Sequence, residues 1–418
     1  MSATHVPPVG QPPADQPPVR PASRLAYVDN VRVFLSMLVV AHHAGQPYGS
    51  DGWWLYQSPL RSHWIGLFFG VNEAFFMGLF FLMAGYFHPG SVDRKGPGRF
   101  VLDRLWRFGV PAALMVLCIT PVFIYYHEVL FKHLPAVPYW DFFQGAYLGI
   151  ADRPLGWPGD PGIHLEFIHL WFIENLFIFG AVYALYRALH RLLGGGRGTA
   201  PAKRSPERPT DPIAARTAHL ALAGLSLWLA ASTFLIRIWW SVDDWKVLLG
   251  IWEIEFAHLP QYVTMFVLGI VAARRNWFER FPARAGWVWL GVGAACVAVW
   301  MARGAGLDIP FWIGGFTLSA ANRALWESLL CVGFCAGLLT LTRERLPQQT
   351  PLLKILSDNA FAVYVFHVPV VTLLQYALAP SGLGPLESFF AVTALGIALT
   401  FPLTHFVLRR LPLLKQAL

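Results

Sequence analysis

About ten stretches of this chain are long and apolar enough to cross the ~30 Å hydrocarbon core of a bilayer. They run roughly over 30–48, 63–87, 108–127, 167–187, 218–240, 257–273, 285–302, 320–342, 359–379 and 387–408. Runs of this length read as helices, so the expected fold class is an all-α membrane protein of about ten transmembrane helices. The composition agrees: of 418 residues, 56% are hydrophobic and only 13% charged, with 18 Trp and 32 Phe. A soluble domain does not carry that balance.

The formal net charge of +8 could point to nucleic acid, but the placement of the charges points elsewhere. With the N-terminus in the cytoplasm and the sides alternating, every inner segment is basic. Arg94, Lys95, Arg99, Arg104 and Arg107 form one such group; Arg274, Arg275, Arg280 and Arg284 form another. Only Arg61, Lys132, Arg153, Arg237, Lys246, Arg303 and Arg323 fall elsewhere. The positive-inside rule then places both termini in the cytoplasm, makes the basic loops orientation signals and lipid contacts, and leaves no case for nucleic acid.

Residues 1–24 are Pro-rich and polar without an apolar core, which reads as a disordered cytoplasmic tail and not a secretory signal. The rest, 25–418, reads as one multi-helix membrane domain interrupted by a flexible basic linker at 194–212. The outer segment from His127 to Glu166 is rich in Trp, Tyr, Pro and Asp; it reads as a sugar-facing loop or as an interfacial aromatic belt. Cys118, Cys296, Cys331 and Cys335 all fall in apolar runs, so neither a disulfide framework nor a zinc site is indicated. No internal repeat is evident, which counts against an inverted-repeat transporter.

Against this apolar background the polar residues stand out. The first span carries Arg32 near one end and His42 and His43 near the other, and ionisable groups in a span usually face a protein interior or a wet cavity. Eleven residues separate Arg32 from His43, which on a helix is about 20° beyond three turns and about 16 Å of rise. Asp29, Arg32, Ser36 and His43 therefore share a stripe, with His42 about 100° away. The blander alternative makes Arg32 an orientation anchor and the histidines helix caps. The second span holds Asn72 and Glu73 with a small-residue seam at Gly78, Ala84 and Gly85, a packing feature. Arg104 and Arg107, at i,i+3, could grip the phosphates of a nucleotide thioester or touch lipid headgroups.

Further polar groups lie at His169, Glu174 and Asn175, at Glu253, Glu255, His258 and Gln261, at Asn322, Arg323 and Glu327, and at Asp358, Tyr364 and His367. Each alone is more often a satisfied core pair than a catalyst; together they point to a hydrated interior cavity. Metal binding is the weaker reading, with no ligand spacing to support it. A Gly-rich phosphate loop and a nucleophile elbow are also absent.

These residues carry a resemblance. Arg32-x10-His43, preceded by Asp29, resembles the acyltransferase-3 family of integral membrane acyltransferases. Phe80-Phe-Leu-Met-Ala-Gly85-Tyr, Arg104-x-x-Arg107 and Tyr364-Val-Phe-His367-x-Pro369 follow in the family's order. The segment around His169 resembles the branch containing periplasmic-glucan succinyltransferases. The resemblance implies a ten-helix enzyme of the bacterial plasma membrane. It would move an acetyl- or succinyl-type group from cytoplasmic acyl-CoA to a hydroxyl of an extracytoplasmic glycan or lipid-linked sugar. Acyl-CoA is then a co-substrate, with no permanently bound cofactor. His43 matches the position held to be catalytic, Arg32 its essential partner, and Arg104 and Arg107 the paired arginines associated with donor binding or fold. His42 beside His43 departs from the pattern, so the choice of imidazole rests on helical phase.

The expected chemistry is general-base catalysis by His43, oriented by Glu73 or Glu174, with Asp29, His169 and His367 as further support. Ser36 shares the stripe but has no evident base, and direct transfer and an acyl-enzyme both stay open. Two rivals are a transporter of glycolipid or organic acid through a polar path, and a non-catalytic partner in envelope glycan assembly.

Overall fold

Among the described residues, ten long helices account for the apolar runs. The computed structural model describes residues 25–49, 54–158, 165–194, 212–306 and 313–418. The Pro-rich tail at 1–24 and nearly all of the linker at 194–212 lie outside the described residues.

In chain order the helices are α1 (Ala26–Gly49), α2 (His63–Lys95), α3 (Pro97–Phe131), α4 (Ile168–Leu192) and α5 (Ala215–Ile236). They continue as α6 (Phe256–Arg275), α7 (Ala283–Gly304), α8 (Leu318–Arg345), α9 (Pro351–Ser381) and α10 (Pro385–Arg410). Among the described residues, nine are long and apolar enough to cross a membrane. The tenth long helix is α1, whose Asp29, Asn30, Arg32, His42 and His43 dilute its apolar character.

Several helices outrun their apolar runs. α2 continues to Lys95 and α3 starts at Pro97, with Gly96 at φ 82° making the corner between them. Charged residues in these extensions keep the helix ladder after the apolar run has ended, because an interfacial helix still satisfies its own backbone. α3 contains one wide turn, Met115–Ile119.

The expectation of an all-α chain needs one correction. A short antiparallel hairpin, β1 (Trp245–Leu248) and β2 (Trp252–Glu255), joins α5 to α6, with Trp245 opposite Glu255. Leu249 and Gly250 at its tip take positive φ, the conformation a tight hairpin connection demands. The run is too short and too charged to register as a membrane span, and its alternation is hidden because Glu253, Ile254 and Glu255 are all buried.

α1 sits inside the bundle, packed against α2, α8, α9 and α10. That position turns its polar side chains inward. The closest pairing is α2 with α6. A Cβ at Gly85 would run into the Phe266 carbonyl, and one at Gly269 into the Leu82 carbonyl, so the two backbones touch directly. At the other end of the bundle Arg237, only 1% exposed, lies 2.5 Å from Glu327, which also accepts from Arg323 Nε at 2.6 Å. This buried ion network fastens the end of α5 to α8.

The segment after α3 folds on itself. Tyr125, Tyr139, Phe142 and Trp157 pack ring against ring. The Tyr147 hydroxyl donates to the Val116 carbonyl at 2.6 Å and Trp157 Nε1 to the Pro135 carbonyl at 3.1 Å. Most of its aromatic side chains are thus spent on a small core of their own; Glu166, at its end, lines the cavity described next.

Candidate active site

Two chambers divide the polar residues between them. One, of about 430 Å³, is lined by Arg32, Ser36, Arg104, Arg107, Asp358 and Arg409. A neighbouring recess of about 650 Å³ shares Arg104 and Arg107 and adds Arg94 and Lys95. The other chamber, of about 750 Å³, holds His42, His43, His169, Glu73, Glu253 and Trp171, among others. Arg32 and His43 share a helix stripe, as their spacing requires, yet they open into different chambers. In place of the one hydrated interior cavity expected from the sequence, the polar residues line two chambers.

The arginine chamber is lined by residues of the N-terminal halves of α1 and α3, together with side chains of α2, α4 and α9. Arg32 pairs with buried Asp29 at 3.0 Å, so the carboxylate one turn earlier holds the guanidinium in place. Arg104 lies over the rings of Phe100 and Phe108, and Arg107 over Phe361. Neither forms a salt bridge among the described residues. Stacked guanidinium groups keep their outward N–H donors available, which suits multivalent phosphate.

In the second chamber His43 is fixed on three sides. Trp54 stacks on its ring at 5.2 Å. Gln375 donates to the His43 carbonyl at 3.0 Å and accepts from Trp54 Nε1 at 2.9 Å. His367 Nε2 lies 2.9 Å from His43 Nδ1. His367 Nδ1 faces the carbonyls of Val363 and Tyr364 at 3.1 and 2.8 Å, so it must donate. The neutral ring then presents Nε2 as an acceptor, and His43 Nδ1, which also faces the Val39 carbonyl at 3.0 Å, must carry the proton. The tautomer is set by this network, and it leaves His43 Nε2 as a lone pair.

His42 goes elsewhere. Its two nitrogens meet Asn72 at 3.0 Å and Gln46 at 3.1 Å, and its ring packs on Phe69 and Phe76 of α2. Both of its polar atoms are engaged, so helical phase and hydrogen bonding pick out the same imidazole.

Sequence reasoning expected a carboxylate behind His43, and here the structure corrects it. Neither Glu73 nor Glu174 meets His43 Nδ1; a second imidazole, His367, does. Glu73 lines the chamber. Glu174 accepts from the Glu253 N–H at 3.3 Å. His169 is brought in, its ring 5.9 Å from His43 and 5.0 Å from His367, with Nε2 donating to the Val365 carbonyl at 2.9 Å. Asp29 supports Arg32, not His43.

His169 reaches this position through a strained turn. Ile168 adopts φ 52°, a conformation that a β-branched residue rarely takes. Glu253 of β2 holds that turn by accepting the Phe167 N–H at 2.8 Å. Burial, with Glu166 nearby, pushes the Glu253 carboxyl up to about 8. Trp171, Trp245 and Tyr262 form an aromatic wall beyond it, with Trp171 5.3 Å from Trp245 and 5.5 Å from Tyr262. The hairpin and Trp54 were missed by sequence reasoning, since nothing local marks a loop residue as a cavity wall. Gln375 did leave a signal, an amide deep in an apolar span.

An arginine-lined chamber and a paired His43 and His367 thus sit inside one helical bundle. The acyltransferase-3 family, described as an acyltransferase domain, matches residues 25–405, and the chain belongs to that family. Among curated proteins it is similar to glucans biosynthesis protein C of Salmonella schwarzengrund (strain CVM19633) and of Salmonella agona (strain SL483). Each is 24% identical over 402 residues, covering 94% of this chain and 94% of the relative. No solved structure matches the chain.

Proposed function

We propose that the protein transfers an acetyl- or succinyl-type group from cytoplasmic acyl-CoA to a hydroxyl of a glycan or lipid-linked sugar on the opposite face of the bacterial plasma membrane. The observation that carries this reading is the His43–His367 pair. Its hydrogen bonds commit His43 Nδ1 to donation and leave Nε2 as a base in a chamber large enough for a sugar. Membership of an acyltransferase family favours transfer over the transport of an intact solute. The name of the Salmonella relatives favours a glucan-type acceptor.

In this reading both termini are cytoplasmic, and Arg32, Arg104 and Arg107 hold the phosphates of the donor. The acceptor hydroxyl gives its proton to His43 Nε2 as its oxygen attacks the thioester carbonyl. The tetrahedral intermediate then expels the CoA sulfur, which takes the proton back from His43. His43 Nδ1–H, held by His367, keeps the imidazole aimed throughout. A positioned base of this kind supplies about 10²–10⁴-fold.

Membranes containing the protein, given labelled acetyl-CoA or succinyl-CoA and a glucan acceptor, should release CoA and form an ester. His43→Ala should abolish both at unchanged protein level. Undiminished transfer by that variant would reject His43 as the base.

A further inference from the structure

The two chambers share one lining side chain. Tyr364 of α9 lines the arginine chamber and the histidine chamber alike, and no other described residue borders both. It is 6% exposed. Its hydroxyl donates to the His169 carbonyl, and its ring meets Phe172 edge to face at 5.5 Å. It stands one turn before His367, whose Nδ1 donates to the Tyr364 carbonyl.

The chemistry proposed above cannot proceed with this side chain where it stands. Arg32, Arg104 and Arg107, which would grip the donor, line one of the chambers that Tyr364 borders, and His43 lines the other. The ring is tied by one hydrogen bond to a backbone acceptor, a tether that a single side-chain rotation breaks. The covering rings are Phe172 and His169, and both belong to α4. The barrier is therefore a side chain of α9 latched onto α4, and opening it needs no helix to unfold.

We propose that Tyr364 is the partition between donor and acceptor chambers, latched to the His169 carbonyl and displaced when the arm carrying the thioester enters. This rests on the two-chamber reading of the reaction. Closed, it keeps water and solutes from crossing the bundle when no donor is bound. Open, it brings the thioester carbonyl to His43. Tyr364 is a positioning residue in this scheme, and it takes no proton.

A labelling experiment on the full chain tests the partition without measuring acyl transfer. Ala84 lines the arginine chamber, and Ala84→Cys places a thiol there in a background where exposed Cys118 is replaced by Ser. A membrane-impermeant methanethiosulfonate is applied separately to right-side-out and to inverted vesicles. With Tyr364 present the thiol should react from one face only. Tyr364→Ala and the milder Tyr364→Leu should open the second face, reacting there about tenfold faster than Tyr364→Phe, which keeps the ring as a plug. Reaction from both faces with Tyr364 intact would overturn the proposal. So would a second face that stays closed in the Ala and Leu variants while the first still reacts. The face that reacts in the unaltered partition reports orientation, and loss of transfer in His43→Ala reports catalysis, so those readings can fail independently of this one.

Discussion

His367 Nε2 and His43 Nδ1 lie 2.9 Å apart, across 324 residues of sequence, and this contact decides the tautomer of His43. The acceptor behind the imidazole is another imidazole whose own proton is committed to backbone carbonyls. A neutral acceptor orients His43 without placing a full negative charge beside it in a low-dielectric site.

His367→Ala should therefore lower kcat by about ten- to a hundredfold, part of the general-base factor, with little change in KM for either substrate. His367→Gln, which can still offer an acceptor to His43 Nδ1, should recover part of the loss. Steady-state kinetics on purified protein in lipid checks both. A raised KM at unchanged kcat would move His367 from orientation to binding.

Arg104→Ala and Arg107→Ala should each raise KM for acyl-CoA with a smaller effect on kcat. A charge-assisted bond to phosphate is worth about 1.5–3 kcal/mol, so each loss corresponds to roughly ten- to a hundredfold. Arg-to-Lys changes at either site should fall between, because an ammonium cannot stack on Phe100, Phe108 or Phe361 while forking to phosphate.

Glu253 gives a pH dependence with a definite sign. Its folded carboxyl titrates at about 8, above its ordinary value of 4.5, because it is buried. The folded protein then binds the proton more tightly than the unfolded chain. This contribution is full below pH 4.5 and is lost as pH rises towards 8. Melting temperatures in detergent should fall across that interval, and Glu253→Gln should flatten the fall. An unchanged slope after that substitution would show that other groups set it.

Gly85→Val should destabilise the bundle by at least the ~1–3 kcal/mol typical of overpacking, since the new side chain meets the backbone of α6 and not a movable side chain. Gly90→Ala, on the same helix but with open space around it, should be tolerated. Thermal unfolding of the two variants side by side makes the comparison.

Much of the fold was legible because lipid imposes a length and polarity rule on each span independently of the others. All ten helices appear where the apolar runs lie. The hairpin at Trp245–Glu255 was not legible, because the burial of β2 comes from packing on α4 and not from its own pattern. In the site, helical phase alone separated His43 from His42 and put Arg104 and Arg107 on one face. Glu73 and Glu174 looked equally able to serve His43, and only the packing of α9 on α1 showed that His367 takes that place.

The sequence by itself determined the multi-helix membrane class and the stripe that carries Arg32 and His43, since these follow from run length and from spacing along one helix. Tertiary structure alone decided that those two residues open into separate chambers, that Tyr364 borders both, and that an imidazole sets the proton on His43. Those outcomes depend on which faces of α1, α4 and α9 meet. Spacing within a helix fixes the angle between its residues and is silent about what stands opposite them.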